Sequence, residues 1–319
     1  MNPKRLVFCI LLFILEICSI PLLAEGNDSI IVLNNKTWKQ QFKEDSLYSF
    51  RSSKGYFPML LHNFGEQAIA PFHMSGSQAL QVAGICAGTV GLYFLDPSIE
   101  KNVRPLKDRN PWLRDISPEF TQLGDYYGYG LLVAYGGYSL IFHERKALHT
   151  AVLASQAAIT AGVWVRIIKL GTGRMRPGAT YMDREYNKDH WFGPLGQFDP
   201  EVKRGRSVAA FDAFPSGHTA AAFSIATVFA LQFEDKKAVP YIAYSLASLV
   251  AVSRLVEHEH WASDLLRGAA IGYACGRQVV KHYRKLFRTD SEASRKHKTA
   301  SSIYFSNSSI PRIHYSLIF

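Results

Sequence analysis

The chain is poor in cysteine: four in 319 residues. Cys9 and Cys18 fall in a leading apolar segment, which leaves Cys86 and Cys275 in the body, each in small apolar surroundings that suit packed thiols. This excludes a disulfide framework, and a single Cys86–Cys275 bridge has no support from the spacing. No Cys/His group has the spacing of a zinc site. Internal repeats, low-complexity tracts and Gly/Ser linkers are lacking, which argues for one domain with an extension rather than a string of modules. Gly171-Thr172-Gly173 lacks the continuation of a nucleotide-binding loop, so no Walker motif is present. The basic residues are dispersed and no helix-turn-helix spacing occurs, so no nucleic-acid partner is expected. Strand-like alternation is nearly absent.

What is abundant is apolar. Hydrophobic residues make up 48% and charged residues 19%, enough for a sizeable core and too apolar for a disordered chain. The formal charge of +10, from 36 Lys+Arg against 26 Asp+Glu, suits nucleic acid, anionic lipid or a phosphorylated substrate without choosing among them. Lys4 and Arg5 precede an apolar run from Leu6 to Leu15, and Ala24 stands before Glu25. That layout predicts a signal peptide over residues 1–24 and export to the periplasm or cell envelope. Glu16 shortens the greasy core and Leu22 is a poor cleavage-site residue, so an uncleaved anchor is the alternative. Glu16 and Ile17 before Cys18 argue against lipidation there.

Residues 25–76 read as an N-terminal extension with scattered aromatics that packs on the main domain, and residues 284–319 as a basic tail. Between them the pattern is helical. Apolar stretches cover about 77–95, 124–142, 147–170, 217–233, 239–256 and 261–283, with stops at Asp96-Pro97, Gly171 and Glu234-Asp235. The expected fold is an all-α, six-helix bundle. Residues 147–165 and 213–233 carry no Asp, Glu, Lys or Arg, so they suit either a bilayer or the centre of a large bundle. Crossing parity with an exported N-terminus puts the basic C-terminal flank on the wrong side. Peripheral and integral attachment both stay open.

Three clusters at helix ends carry the chemistry. In Lys169-Leu-Gly-Thr-Gly-Arg-Met-Arg176-Pro177 an apolar helix stops at a glycine pair and offers Lys169 and Arg176, a point charge and a planar fork suited to phosphate oxygens. Pro215-Ser216-Gly217-His218 opens a helix whose first-turn amides, with the Ser216 hydroxyl and Gly217, can face an anion beside His218. In Ser253-Arg254…His260…Asp264, His260 and Asp264 lie four apart, so on a helix they share a face and a carboxylate can orient an imidazole. Glu257, His258 and Glu259 tempt as bases or metal ligands, but a His-x-His pair without a third ligand is a weak metal signal, and no metal is expected. Two histidines, an aspartate, three cations and an amide-rich helix start suit phosphoryl transfer through a covalent phosphohistidine without a metal.

These residues resemble the signature of the type 2 phosphatidic acid phosphatase superfamily, whose relatives include vanadium haloperoxidases. Lys169-x6-Arg176-Pro177, Pro215-Ser216-Gly217-His218 and Ser253-Arg254-x5-His260-x3-Asp264 fit its three motifs in order, without substitution, inside a resembling core of residues 77–283. The resemblance implies that His260 is the nucleophile, Asp264 its support and His218 the acid and then the base. It also implies that Lys169, Arg176, Arg254, Ser216 and the Gly217 amide bind the phosphate. It implies a phosphomonoester or diphosphate substrate on a lipid or isoprenoid carrier, such as phosphatidic acid, phosphatidylglycerol phosphate, undecaprenyl diphosphate or a lipid A phosphate, with a small soluble phosphomonoester as another option. No cofactor is expected, vanadate belonging to the haloperoxidase alternative alone, and no protein partner is required. A silent envelope protein that binds phospholipid is the other rival. Retention of nucleophile, acid and carboxylate argues against it. Tyr181, Trp191, Phe192, Phe198 and Phe211, with Gly193, Pro194 and Gly196, form a candidate rim for a lipid tail, and Asp183, Arg184, Glu185, Asp189, Asp199 and Arg206 are candidates to staple it.

Overall fold

The computed structural model describes residues 55–181, 190–298, 302–306 and 312–316. The expected signal peptide, residues 25–54 of the extension, and Asp183, Arg184, Glu185 and Asp189 of the rim lie outside them. Eight long helices stand among the described residues: α1 Tyr56–Ile69, α2 Gly76–Arg109, α3 Pro111–Leu123, α4 Tyr126–Phe142, α5 Arg145–Thr172, α6 Gly217–Gln232, α7 Ala238–Val256 and α8 Ala262–Lys298. The domain is all-α as expected. The six predicted stretches correspond to α2 and α4–α8, and α1 and α3 are additional.

One compact unit ends at Val279. Within it α6 is central and packs on α5 and α7, while α4 covers α5 and α3 lies on α7. The approach on α5 is made by small residues: Ala154, Ala157, Ala158 and Ala161 are at most 1% exposed. Approach of α6 to α8 is closer still. A Cβ built on Gly268 would lie 2.5 Å from the Ser216 oxygen, one on Gly272 2.2 Å from the Ala220 oxygen, and one on Gly276 2.8 Å from the Ser224 oxygen. One glycine per turn of α8 thus lets two backbones touch, as in small-residue seams of membrane helices. The extension contributes α1, pinned on α5 by buried amides: Asn63 donates to Gln156 at 3.0 Å, and Gln156 donates to the Tyr56 carbonyl at 2.9 Å.

The predicted stop at Asp96-Pro97 does not occur. α2 continues to Arg109 with Pro97 and Pro105 inside it. Tertiary bonds on both sides of Pro97 override the local breaker: Asp96 and Glu100 are both buried and tied to the loops that carry the site. Cys86 is exposed rather than packed and Cys275 is buried; both are free thiols. Among the described residues three helices are long and apolar enough to cross a membrane, α2, α5 and α7, and none of the apolar window of α2 is buried within the protein.

The second unit begins at Val280. Where a tail was expected after residue 283, α8 runs on to Lys298, and Ser302–Ser306 pairs antiparallel with Arg312–Ser316.

Candidate active site

The three motifs meet through the backbone before any side chain is considered. α5 ends on Gly173 in the left-handed conformation, its N–H returning to the Lys169 carbonyl at 3.1 Å. The chain then runs past two partners. Ala213 N–H donates to the Arg174 carbonyl at 3.0 Å, and Arg176 N–H donates to the Ala210 carbonyl at 2.8 Å. The third motif joins the first where Gly178 N–H donates to the His258 carbonyl at 2.8 Å and the Trp261 indole donates to the Met175 carbonyl at 2.9 Å. It joins the second where Ser216 N–H donates to the Asp264 carbonyl at 3.1 Å.

His260 is 1% exposed and sits just before α8. Its Nδ1 lies 2.7 Å from the Ala213 carbonyl oxygen. A carbonyl only accepts, so Nδ1 carries the proton and Nε2 keeps a lone pair. The nearer Asp264 oxygen is 3.7 Å from Nδ1, so the carbonyl fixes the ring more tightly than the aspartate does. Burial pushes the His260 imidazole well below its ordinary pKa, and Lys169, Arg176 and Arg254 push it further. His218, in the first turn of α6, is pushed down to about 3 by burial and then by Arg254, Arg176 and Lys169. The same three cations thus act on both rings. The Asp125 carboxylate stands 3.8 Å from His218 Nε2.

The cations are held by carboxylates. Lys169 donates to the Asp212 carbonyl and lies 3.5 Å from that residue's carboxylate. Arg254 donates to Glu257 at 2.7 Å, and Arg176 donates to Glu259. Burial lowers the pKa of Arg176, opposed by Asp212 and Asp264. Nε of both Arg176 and Arg254 is buried with no hydrogen-bond partner. Two buried guanidinium donors without acceptors suit an anion with several oxygens. Ser216 caps α6 and accepts from the Thr219 hydroxyl at 2.9 Å, which leaves its own proton to donate.

Arg174 was given no role from the sequence, although it lies inside the first cluster. It is 0% exposed and lies between Asp264, to which it donates, and Asp96 at 2.7 Å, with Ser263 also at 2.7 Å. Its guanidinium stacks against Trp191 and Trp261, 4.8 and 5.4 Å from their centroids. Burial, opposed by Arg174, raises the Asp264 carboxyl to about 6. The signal that would have found this cluster is Asp96 itself, the acid that ends the apolar run of α2. His258 turns away to another partner: its Nδ1 lies 2.7 Å from a carboxylate oxygen of buried Glu100. Of the rim, Phe192 packs edge-on against Phe211 at 5.3 Å and Trp191 lies 5.2 Å from Phe214, whereas Phe198 is exposed. Asp199 caps a single helical turn by accepting from Glu201 N–H at 2.9 Å.

Known proteins bear on these residues. Residues 149–288 match the PAP2 superfamily, a span that contains all three motifs. A lipid A 1-phosphatase of Porphyromonas gingivalis is 46% identical over 68 residues, covering 21% of this chain and 15% of the relative. A probable diacylglycerol pyrophosphate phosphatase of Schizosaccharomyces pombe is 28% identical over 145 residues, covering 41% and 51%. The chain thus spans about half the length of the second and far less of the first. Among solved structures, a transmembrane PAP2-type phosphatidylglycerolphosphate phosphatase of Bacillus subtilis is 22% identical with a TM-score of 0.42, covering 72% of this chain and 94% of that one.

Proposed function

We propose that the chain, whose residues 149–288 match the PAP2 superfamily, is a membrane-associated, metal-independent phosphatase of that family that removes a phosphate from a lipid or isoprenoid carrier through a phosphohistidine. The observation that carries this reading is the 2.7 Å contact of His260 Nδ1 with the Ala213 carbonyl. The Ala213 carbonyl holds the proton on Nδ1, so the nucleophilic lone pair is on Nε2 within the field of Lys169, Arg176 and Arg254.

The steps follow from the residues. Lys169, Arg176, Arg254 and the Ser216 hydroxyl hold the phosphoryl oxygens. Nε2 of His260 attacks phosphorus, a P–N bond forms, and the bond to the lipid oxygen breaks. That oxygen takes a proton from His218. Burial first, and then Arg254, Arg176 and Lys169, push the His218 imidazole down to about 3, so it is neutral in the free site at pH 7. A bound phosphate adds negative charge beside the ring and shifts it back toward the protonated form that the acid role needs. Asp264 supports the imidazolium that forms on His260. Water then attacks phosphorus as His218 takes its proton, the P–N bond breaks, and inorganic phosphate leaves.

Two observations support a lipid carrier. Leu80, Val90, Phe94 and Leu95 on α2 are exposed on a helix long enough to span a bilayer. An apolar cleft lies among α4, α6 and α7, lined by Leu131, Ile225, Phe229, Leu246 and Val250. A Cβ on Gly124 would lie 2.8 Å from both Val250 of this cleft and the His218 backbone oxygen, so Gly124 packs between the cleft wall and the first turn of α6. The names of the two curated relatives agree with phosphorylated lipids as the substrate class. The basic N-terminal layout supports delivery to the periplasmic side of an envelope.

The experiment is phosphate release by purified protein over lipid phosphates, isoprenoid diphosphates and soluble phosphomonoesters, with His260→Ala as control. Release that depends on His260 is the expected result. Equal, near-zero release from both proteins would overturn it in favour of a silent binder, and vanadate-dependent bromination without phosphate release in favour of a haloperoxidase.

A further inference from the structure

We infer that Glu259 is a specificity-determining residue: an internal carboxylate that holds the two phosphate-binding arginines until a doubly charged phosphate displaces it. This rests on the phosphatase reading above.

The residue is placed by its neighbours. His258 has φ +58 and is tied to Glu100, so the chain turns there and presents Glu259 beside the nucleophile His260. Glu259 N–H donates to the Arg254 carbonyl at 3.2 Å, which fixes its backbone. One carboxylate oxygen accepts from Arg176 Nη1 and stands 3.4 Å from Arg254 Nη2. It therefore bridges the two guanidiniums that would clamp the phosphate.

The bridge is incomplete. Nε of each arginine is buried and without an acceptor although Glu259 is present. One carboxylate oxygen between two planar forks leaves donors over, and a phosphate, with three terminal oxygens, can take them. Glu259 can also leave. Its side chain is 35% exposed, whereas Glu257, which holds Arg254 from the other side, is 12% exposed and bonded to Thr121 at 2.9 Å. Glu257 is fixed structure and Glu259 is the exchangeable partner.

Exchange selects by charge. A dianionic phosphomonoester brings two charges against the one it displaces and gains from the trade. A monoanionic phosphodiester only matches the carboxylate and gains little. Glu259 thus favours terminal phosphates over internal diester linkages and keeps the product, free phosphate, from binding too tightly.

The test compares wild type with Glu259→Gln and Glu259→Asp, each checked for folding by circular dichroism. Inorganic phosphate binding is measured by calorimetry. Steady-state kinetics are measured on a phosphomonoester and a matched phosphodiester. Glu259→Gln should bind phosphate about tenfold more tightly, the scale of one unit charge beside another at a half-buried site. It should lower KM for the monoester and raise kcat/KM for the diester relative to it. Glu259→Asp, one methylene shorter, should fall between, and it carries the test if the glutamine variant does not fold. Unchanged or weaker phosphate binding, with the monoester preference intact, overturns the inference while His260-dependent phosphate release leaves the phosphatase reading standing. Failure of every protein to bind or release phosphate overturns both.

Discussion

Replacing Arg174 with methionine removes the cation between two carboxylates that have no access to water. Arg174, Asp96 and Asp264 are all at most 1% exposed. Breaking a buried ion pair in this way costs about 3–5 kcal/mol. At roughly 2–4 °C per kcal/mol for a domain of this size, the melting temperature should fall by about 10 °C. Asp96→Asn should behave differently. The cluster carries one positive and two negative groups, so losing one negative charge leaves a balanced Arg174–Asp264 pair. An asparagine oxygen can still accept from Arg174 or Ser263, and the cost should be about 1 kcal/mol. Because Asp264 would keep its partner, Asp96→Asn should retain most activity. Arg174→Met should lose activity through a displaced Asp264, shown as a fall in kcat with KM little changed. Thermal unfolding in detergent beside phosphate-release kinetics provides the check. An Asp96→Asn variant that is destabilised as much as Arg174→Met would refute the charge argument.

His218→Ala should lower kcat by roughly 10²–10⁴-fold, and a substrate with a good leaving group should recover much of that loss; equal loss on both substrates would remove His218 from the acid role. Stability should fall as pH drops, because His218 and His260 have depressed pKa values when folded and take up protons near 6.5 when unfolded. Asp264, raised to about 6, opposes this by binding a proton in the folded state between about pH 6 and 4. The net slope should grow as pH falls through about 6.5 and level off at about 1.4 kcal/mol per pH unit below about pH 6, where the proton on Asp264 cancels one histidine. Melting curves in phosphate-free buffer check this, and a His218→Gln variant with an unchanged slope would contradict it. Gly272→Ala should cost about 1–3 kcal/mol by forcing α8 off α6, measured by unfolding; a neutral result would mean that the seam yields freely.

Helix identity and the six main residues proposed for the site were legible because their signals are local. Apolar runs mark α2 and α4–α8, and the Lys-x6-Arg-Pro, Pro-Ser-Gly-His and Ser-Arg-x5-His-x3-Asp spacings mark the groups proposed to surround a phosphate. What was not legible depends on distance across the fold. Pro97 reads as a stop, and only the Asp96–Arg174 and Glu100–His258 bonds, from partners 78 and 158 residues away, explain why the helix continues. The orienting partner of His260 is a backbone carbonyl, which has no signature in side-chain chemistry. α3 was missed because its apolar and polar residues mix: Ile116 is buried beside Ser117, Glu119 and Thr121, which serve α7 and its neighbours rather than a core.

The glycine seam between α6 and α8 has an evolutionary corollary. Ser216 and Asp264 are joined main chain to main chain at the seam's head, so His218 and His260, the proposed acid and nucleophile, ride on one stiff frame that no side-chain exchange can re-space. Under the proposed function, diversification toward new headgroups must therefore proceed in the peripheral parts, the aromatic border after Pro177, the turn at Gly124 and the carboxylate at Glu259, while the proposed reaction geometry is inherited intact.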